Sequence, residues 1–261
     1  MLKVVLRESD KTSGKVIEIF NPEVSNKEFD IHDGVILGLL ENIIAKTKAL
    51  VLLVESKNYD ASDIIARAVF ESHVYLKFIL AENERDRART YAYSSKLSDL
   101  KLLDRILEDS RVGKELREFL GKTKEEVETE NSKALDEQER QRITDQYLSL
   151  LNATKTKTNW FDFDGKTTSF EILCGKMNMM KEYELLYRIF SKDVHSNRAL
   201  SRIKAAENEI HIGNFDVDPT LHISLVSLFL MESSRSVFTY YNLKKELRAF
   251  NAMLAVNHKY K

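Results

Sequence analysis

Proline is almost missing from this chain. Pro22 and Pro219 are the only two, so nothing between them forces a helix to break, and glycine is scarce as well. That excludes a turn-rich β-sandwich and favours long helices. Cysteine is rarer still: Cys174 stands alone, which rules out an internal disulfide and points to a reducing compartment. The opening MLKVVLRESDKTSG turns polar too soon for a signal peptide, so a cytoplasmic protein is expected. Apolar runs near Ala49–Val54 and His222–Met231 are too short to span a bilayer, so no membrane partner is expected. An excess of charge is lacking too. The 40 Lys and Arg against 41 Asp and Glu leave a net −1, which argues against a protein devoted to coating nucleic acid but leaves room for a local phosphate site.

Several catalytic signatures also fail. The Asp164-Gly-Lys-Thr-Thr stretch ends like a phosphate-binding loop, yet Trp160 sits where that motif needs its first glycine, and no strand precedes it. None of the six histidines has a glutamate three residues before it, as a di-iron helical bundle would need. There is no Gly-x-Ser-x-Gly elbow, and Cys174 lies in an apolar helix without visible activation. No metal and no cofactor are therefore expected. Asn152-Ala-Thr154 fits a glycosylation acceptor only in a secreted protein.

What is present reads mostly as helix. The chain is expected to be mainly α: a helical bundle over 33–261 preceded by a short β element, a hairpin or pair of strands, over 1–32. VVLRES and KVIEIF alternate apolar and polar residues around a turn-like DKTSG, which predicts that hairpin. From Asp33 a long apolar helix follows. Asp60, Ser62 and Asp63 offer caps for a second helix reaching about Glu82, and a third runs from RDRARTYAY onward. Residues 112–151 predict one or two charged helices with solvated pairs at helical spacing. A polar loop holding the only tryptophan, Trp160, comes next. Asp218-Pro219 then announces a final helix or helix pair.

Two features carry chemistry. In IIARAVFESHVYLKFIL, with Arg67 at zero on a helical wheel, Ile64 falls at about 60°, Val74 at about 340°, Phe78 at about 20° and Glu71 at about 40°. The charged pair thus sits amid apolar residues and needs a partner, either one another or a group from another helix. In EYELLYRIFSKDVHSNR, Tyr183, Tyr187, Ser191 and His195 recur every four residues down one face, with Arg188 about 10 Å along the axis from His195. His195 falls near the expected C-terminal end of its helix, where the macrodipole favours imidazolium. An arginine for phosphate charge and a histidine for proton transfer are the minimum for metal-independent phosphodiester chemistry. The same stripe would also arise from polar groups satisfying one another between helices.

Arg67-x-x-x-Glu71, the lone Trp160 and the Tyr183, Tyr187, Ser191, His195 series resemble an uncharacterised bacterial helical family, a domain of unknown function, over about Asp33 to Asn242. That family is in turn similar to the HEPN superfamily (higher eukaryotes and prokaryotes nucleotide-binding), helical bundles that often act as RNases in toxin and antiviral systems. HEPN nucleases carry an arginine, four to six residues, then a histidine. Here IFSKDV, six residues, separates Arg188 from His195. Where those enzymes commonly place a polar residue after the arginine, this chain has Ile189.

The resemblance implies a metal-independent endoribonuclease of a toxin or antiviral defence system. Arg188 and His195 would be catalytic, with Arg67, Glu71, Tyr183, Tyr187 and Ser191 supporting them. It also implies RNA as substrate, a homodimer and an operon partner protein. Glu71 would pair with Arg67 or Arg188, or orient His195. The other reading is a non-catalytic helical module that binds a nucleotide or a partner protein as sensor or regulator.

Overall fold

A computed structural model of the chain describes residues 2–23, 26–59, 61–189, 203–206, 209–213 and 218–259. Helix accounts for 72% of them, so the protein is mainly α. Two compact units form, residues 1–84 with 171–261, and residues 85–170.

The first unit is built on three long helices: α3 (Ile31–Glu55), α4 (Ser62–Ala81) and α11 (Thr220–Tyr240). Each packs against the other two. The start of α3 is fixed by a capping box in which Asp30 accepts from the Ile31 N–H at 2.7 Å and Asp33 accepts from the Asp30 N–H at 2.9 Å. Ile36, Leu40, Ile43 and Ile44 then recur at helical spacing and are wholly buried. Phe70 and Val74 of α4, and Phe229 and Val237 of α11, are buried as well. Each such side chain stabilises the fold by about 1.5–3 kcal/mol on leaving water.

Phe70 and Phe229 lie 5.5 Å apart between ring centroids. At the far end of α11 the Tyr241 hydroxyl donates to Asp33 Oδ1 at 2.7 Å, tying that end to the start of α3. Burial and this bond push the phenol's pKa up. The start of α11 lies where Asp218-Pro219 announced it, one position later than an Asp218 cap with Pro219 as first helical residue would put it. Asp218 accepts from the Thr220 N–H at 2.9 Å, Pro219 occupies the N-cap, and α12 (Lys244–Lys259) completes a helix pair.

The expected N-terminal hairpin is a misreading. Residues Leu2–Ser9 and Thr12–Glu18 form helices α1 and α2. Their buried positions are Leu2, Val5, Glu8, Ser9, Thr12, Ser13 and Val16, a set that recurs in steps of three and four and does not alternate. Apolar runs this short cannot separate the two periods by themselves. What decides is packing, because α1 lies on α3, α11 and α12 and joins Ser9 to Ser234 at 2.9 Å. Glu8, buried on α1, is satisfied by Arg7 at 2.9 Å and Lys11 at 2.8 Å. Strand occurs elsewhere: β1 (Ile203–Ala206) pairs antiparallel with β2 (Glu209–Ile212), with Ile203 opposite Ile212.

The second unit holds α5 (Glu84–Leu107), α6 (Arg111–Leu120), α7 (Lys124–Glu130) and α8 (Glu137–Leu151). The charged stretch expected as one or two helices is three. Arg117 explains one break: its guanidinium donates to the carbonyls of Ile106 and Glu108 at the end of α5, where helix carbonyls lack partners. Gly113 explains how close the chains come, since a Cβ there would lie 2.1 Å from the Glu108 carbonyl oxygen. Pairs such as Arg142–Glu139 and Arg111–Glu115 decorate the solvent side and contribute little each.

Trp160, 8% exposed, meets Tyr91 edge-on at 5.0 Å and Phe161 at 5.5 Å. The loop around it is closed by its own side chains. Tyr147 donates to the Thr158 carbonyl at 2.5 Å and Asn159 to that of Thr168 at 2.9 Å.

Candidate functional site

Arg67 and Glu71 sit one turn apart on α4. The Arg67 Nε donates to Glu71 Oε1 at 3.1 Å, and the side chains are 18% and 33% exposed. They are therefore half-buried, at the edge of the apolar stripe rather than in its middle. The physical reason lies in the stripe's true centre. Ala66, Phe70 and His73 are buried, whereas Ile64, on the far side of the pair, is 46% exposed.

Around Glu71 the structure gathers further charge. Lys46 on α3 is pushed below the usual lysine range by burial, with Glu71 pulling it back up. Cys174, on α9 (Phe170–Lys176), is pushed up to about 12 by burial first and then by Glu71, Glu171 and Glu182. The thiol is thus protonated and inert as a nucleophile. Three carboxylates, one of them on its own helix, thus act on it electrostatically.

The segment that carries the tyrosines follows at once. A short α10 (Met180–Glu182) passes into a π-helix over Tyr183–Ile189 that packs against α4. Such windings, in which each hydrogen bond reaches one residue further than in an α-helix, are rare and frequent at functional sites. Tyr183 is buried, and its hydroxyl lies 3.4 Å from Glu171 Oε2. Leu186 is wholly buried beside it, while Leu185 is 39% exposed. Tyr187 and Arg188 belong to the π-helix by their backbone. Ser191 and His195 lie outside the described residues. Of the expected constellation, the structure brings together Arg67 and Glu71, and sets their helix against the π-helix of Tyr183, Tyr187 and Arg188.

A second set of buried polar groups joins α4 to α11. Asp63 and His222, both buried, bond to each other. His73 Nδ1 lies 2.8 Å from the Ser233 hydroxyl, and the ring stacks on Phe229 at 5.0 Å. Its Nε2 lies 3.5 Å from Glu232 Oε2, too long for a well-formed bond. Burial pushes the imidazole's pKa down, so it is neutral near pH 7, and the nearness of the His73 ring holds Glu232 below the usual carboxylate range. The sequence did carry a signal for Asp63. It lies four residues before Arg67, beside the same apolar stripe, and does not cap α4, whose N-cap is Ala61.

The Asp164-Gly-Lys-Thr-Thr loop binds itself. The N–H of Thr167 donates to Asp162 at 2.8 Å and to Asp164 at 3.0 Å, and that of Lys166 to Asp164 at 3.0 Å. Carboxylates thus take the donors that a phosphate-binding loop would offer. Among the described residues no group of three or more His, Cys, Asp or Glu side chains could hold a metal ion, and no helix is long and apolar enough to cross a membrane.

A mainly helical protein with a π-wound tyrosine segment set on an Arg–Glu helix is the class these observations define. The chain belongs to a family of unknown function, DUF5677, whose model matches residues 33–211. That span takes in α3, α4, the π-helix and the whole second unit. No curated protein and no solved structure matches it.

Proposed function

We propose that the protein is a HEPN-like, metal-independent endoribonuclease of a bacterial toxin or antiviral system, with Arg188 and His195 as its catalytic pair. The observation that carries this reading is the π-helix. The segment bearing the four-residue polar series leaves ordinary α geometry at Tyr183 and packs on the helix that holds Arg67 and Glu71. In this reading Arg188 offsets charge on the non-bridging phosphate oxygens, and His195 moves the proton to or from a ribose hydroxyl. Glu71, held at 3.1 Å by Arg67, is a positioning residue for the polar face. Two subunits would bring their Arg188 and His195 residues to one RNA phosphate.

His195→Ala and Arg188→Ala should each abolish RNA cleavage by the purified protein while leaving its far-UV circular dichroism unchanged. A second reading, a non-catalytic module that binds a nucleotide or a partner protein, is favoured by one observation. Tyr183, first of the series, is buried and turned to Glu171, as a packing residue would be. Unchanged cleavage in both variants, or none by the intact protein, would leave that second reading standing.

A further inference from the structure

A cleft of about 500 Å³ opens between α1, α11 and α12 in the first unit. Clefts of this size commonly take small molecules. Its apolar lining includes Val5, Ile223, Leu228, Met231 and Leu254, and Met231 adds an adaptable thioether. Leu228, Met253 and Val256 on the same two long helices are 37%, 38% and 52% exposed, so the apolar surface continues outward from the cleft. Ile223, Ser227, Met231 and Arg235 recur every four residues along α11. The lining therefore runs about 18 Å from Ile223 to Arg235.

One end of that run is polar and carries donors only. The Arg235 Nε donates to Asn251 Oδ1 at 2.7 Å. Arginine can only donate, so this bond fixes the Asn251 amide with its oxygen toward Arg235 and its NH₂ turned elsewhere. The two terminal nitrogens of Arg235 and the Asn251 NH₂ make no other hydrogen bond among the described residues. Among the described residues no carboxylate lines the cleft. Arg235 helps to lower the Glu232 pKa, but that carboxylate lies 3.5 Å from His73 Nε2.

The geometry points to a binding site for an amphipathic monocarboxylate, with its carboxylate on Arg235 and Asn251 and its unbranched apolar tail laid along Met231 and Leu228 toward Ile223. A planar guanidinium suits a carboxylate, and the walls along the tail are apolar apart from Ser224 and Ser227, the second of which donates its hydroxyl to the Ile223 carbonyl at 2.6 Å. This site stands apart from the Arg67–Glu71 helix edge, and its existence does not depend on the ribonuclease reading.

The test is titration of the whole purified chain with dodecanoate below its micelle concentration, followed by calorimetry, with dodecanol as the uncharged counterpart. Saturable one-to-one binding is expected, with dodecanol bound at least about tenfold more weakly. Arg235→Gln should weaken dodecanoate by about tenfold or more and leave dodecanol unchanged. Ala255→Trp, at an exposed position on the cleft wall, should fill the space and remove binding of both while the thermal midpoint stays put. No saturable binding by the folded chain would overturn the proposal. So would binding that is indifferent to Arg235→Gln and Ala255→Trp.

Discussion

Arg67 donates from Nε to Glu71 Oε1 at 3.1 Å, one turn apart on α4, with both side chains between core and solvent. An exposed pair contributes at most about 1 kcal/mol, and loss of one partner from a fully buried pair costs about 3–5 kcal/mol. Glu71→Ala should fall between, near 1–3 kcal/mol, read as a lower urea midpoint at unchanged slope. Glu71 also raises the Lys46 pKa against the burial that lowers it. Glu71→Gln should therefore move the Lys46 titration, followed by carbon NMR at Cε, to still lower pH. A shift upward would mean that Glu71 does not face Lys46.

His73 makes stability depend on pH with a definite sign. Burial lowers its pKa from 6.5, with Lys77 acting the same way and Glu232 and Glu182 opposing. As pH falls the unfolded chain binds this proton first, so the stability tied to neutral His73 is complete above 6.5 and declines from there toward the lower folded value. Glu232 contributes in the same direction, but only below its own ordinary value of 4.5. Between about pH 7.5 and 5.5 the urea midpoint should fall for the native chain and stay flat, from this source, in His73→Gln. Equal slopes in the two proteins would show that His73 does not titrate between the folded and unfolded states.

Long elements were legible because their signals are redundant. From Asp33 the body of α3 is written as apolar residues for about six turns, and the start of α11 is written as Asp218-Pro219. The N-terminal segment was misread because five or six residues fit two periods, and the packing of α1 on α3, α11 and α12 decides between them. Arg67 and Glu71 were recognisable as a pair. Their depth was not, because a wheel shows which residues share a face but not which neighbour covers it. The Asp63–His222 and His73–Ser233 bonds join residues 159 and 160 positions apart, a distance over which no local pattern speaks. The influence of Glu71 on Cys174, from a helix far off in the sequence, was hidden for the same reason.

Trp160 is the only tryptophan, so its fluorescence reports on the second unit alone. Its ring, 8% exposed and edge-on to Tyr91 at 5.0 Å, should emit at short wavelength in the folded protein and shift red as residues 85–170 unfold. Tyr91→Ala removes the facing ring and should destabilise that unit by about 3 kcal/mol, bringing the red shift on at lower urea. An emission maximum already at the solvent-exposed position in the native protein would contradict this placement.

The most direct measurement of the ribonuclease account is the chemistry of the ends it leaves. Purified protein is incubated with a single-stranded RNA in excess EDTA, and the fragments are analysed by mass spectrometry, with His195→Ala alongside. A neighbouring 2′-hydroxyl as nucleophile, with proton transfer by His195 and charge stabilisation by Arg188, predicts cleavage that persists in EDTA, fragments ending in a 2′,3′-cyclic phosphate, and intact RNA with His195→Ala. Cleavage that stops in EDTA, fragments ending in a 3′-hydroxyl, or equal cleavage by His195→Ala would contradict it.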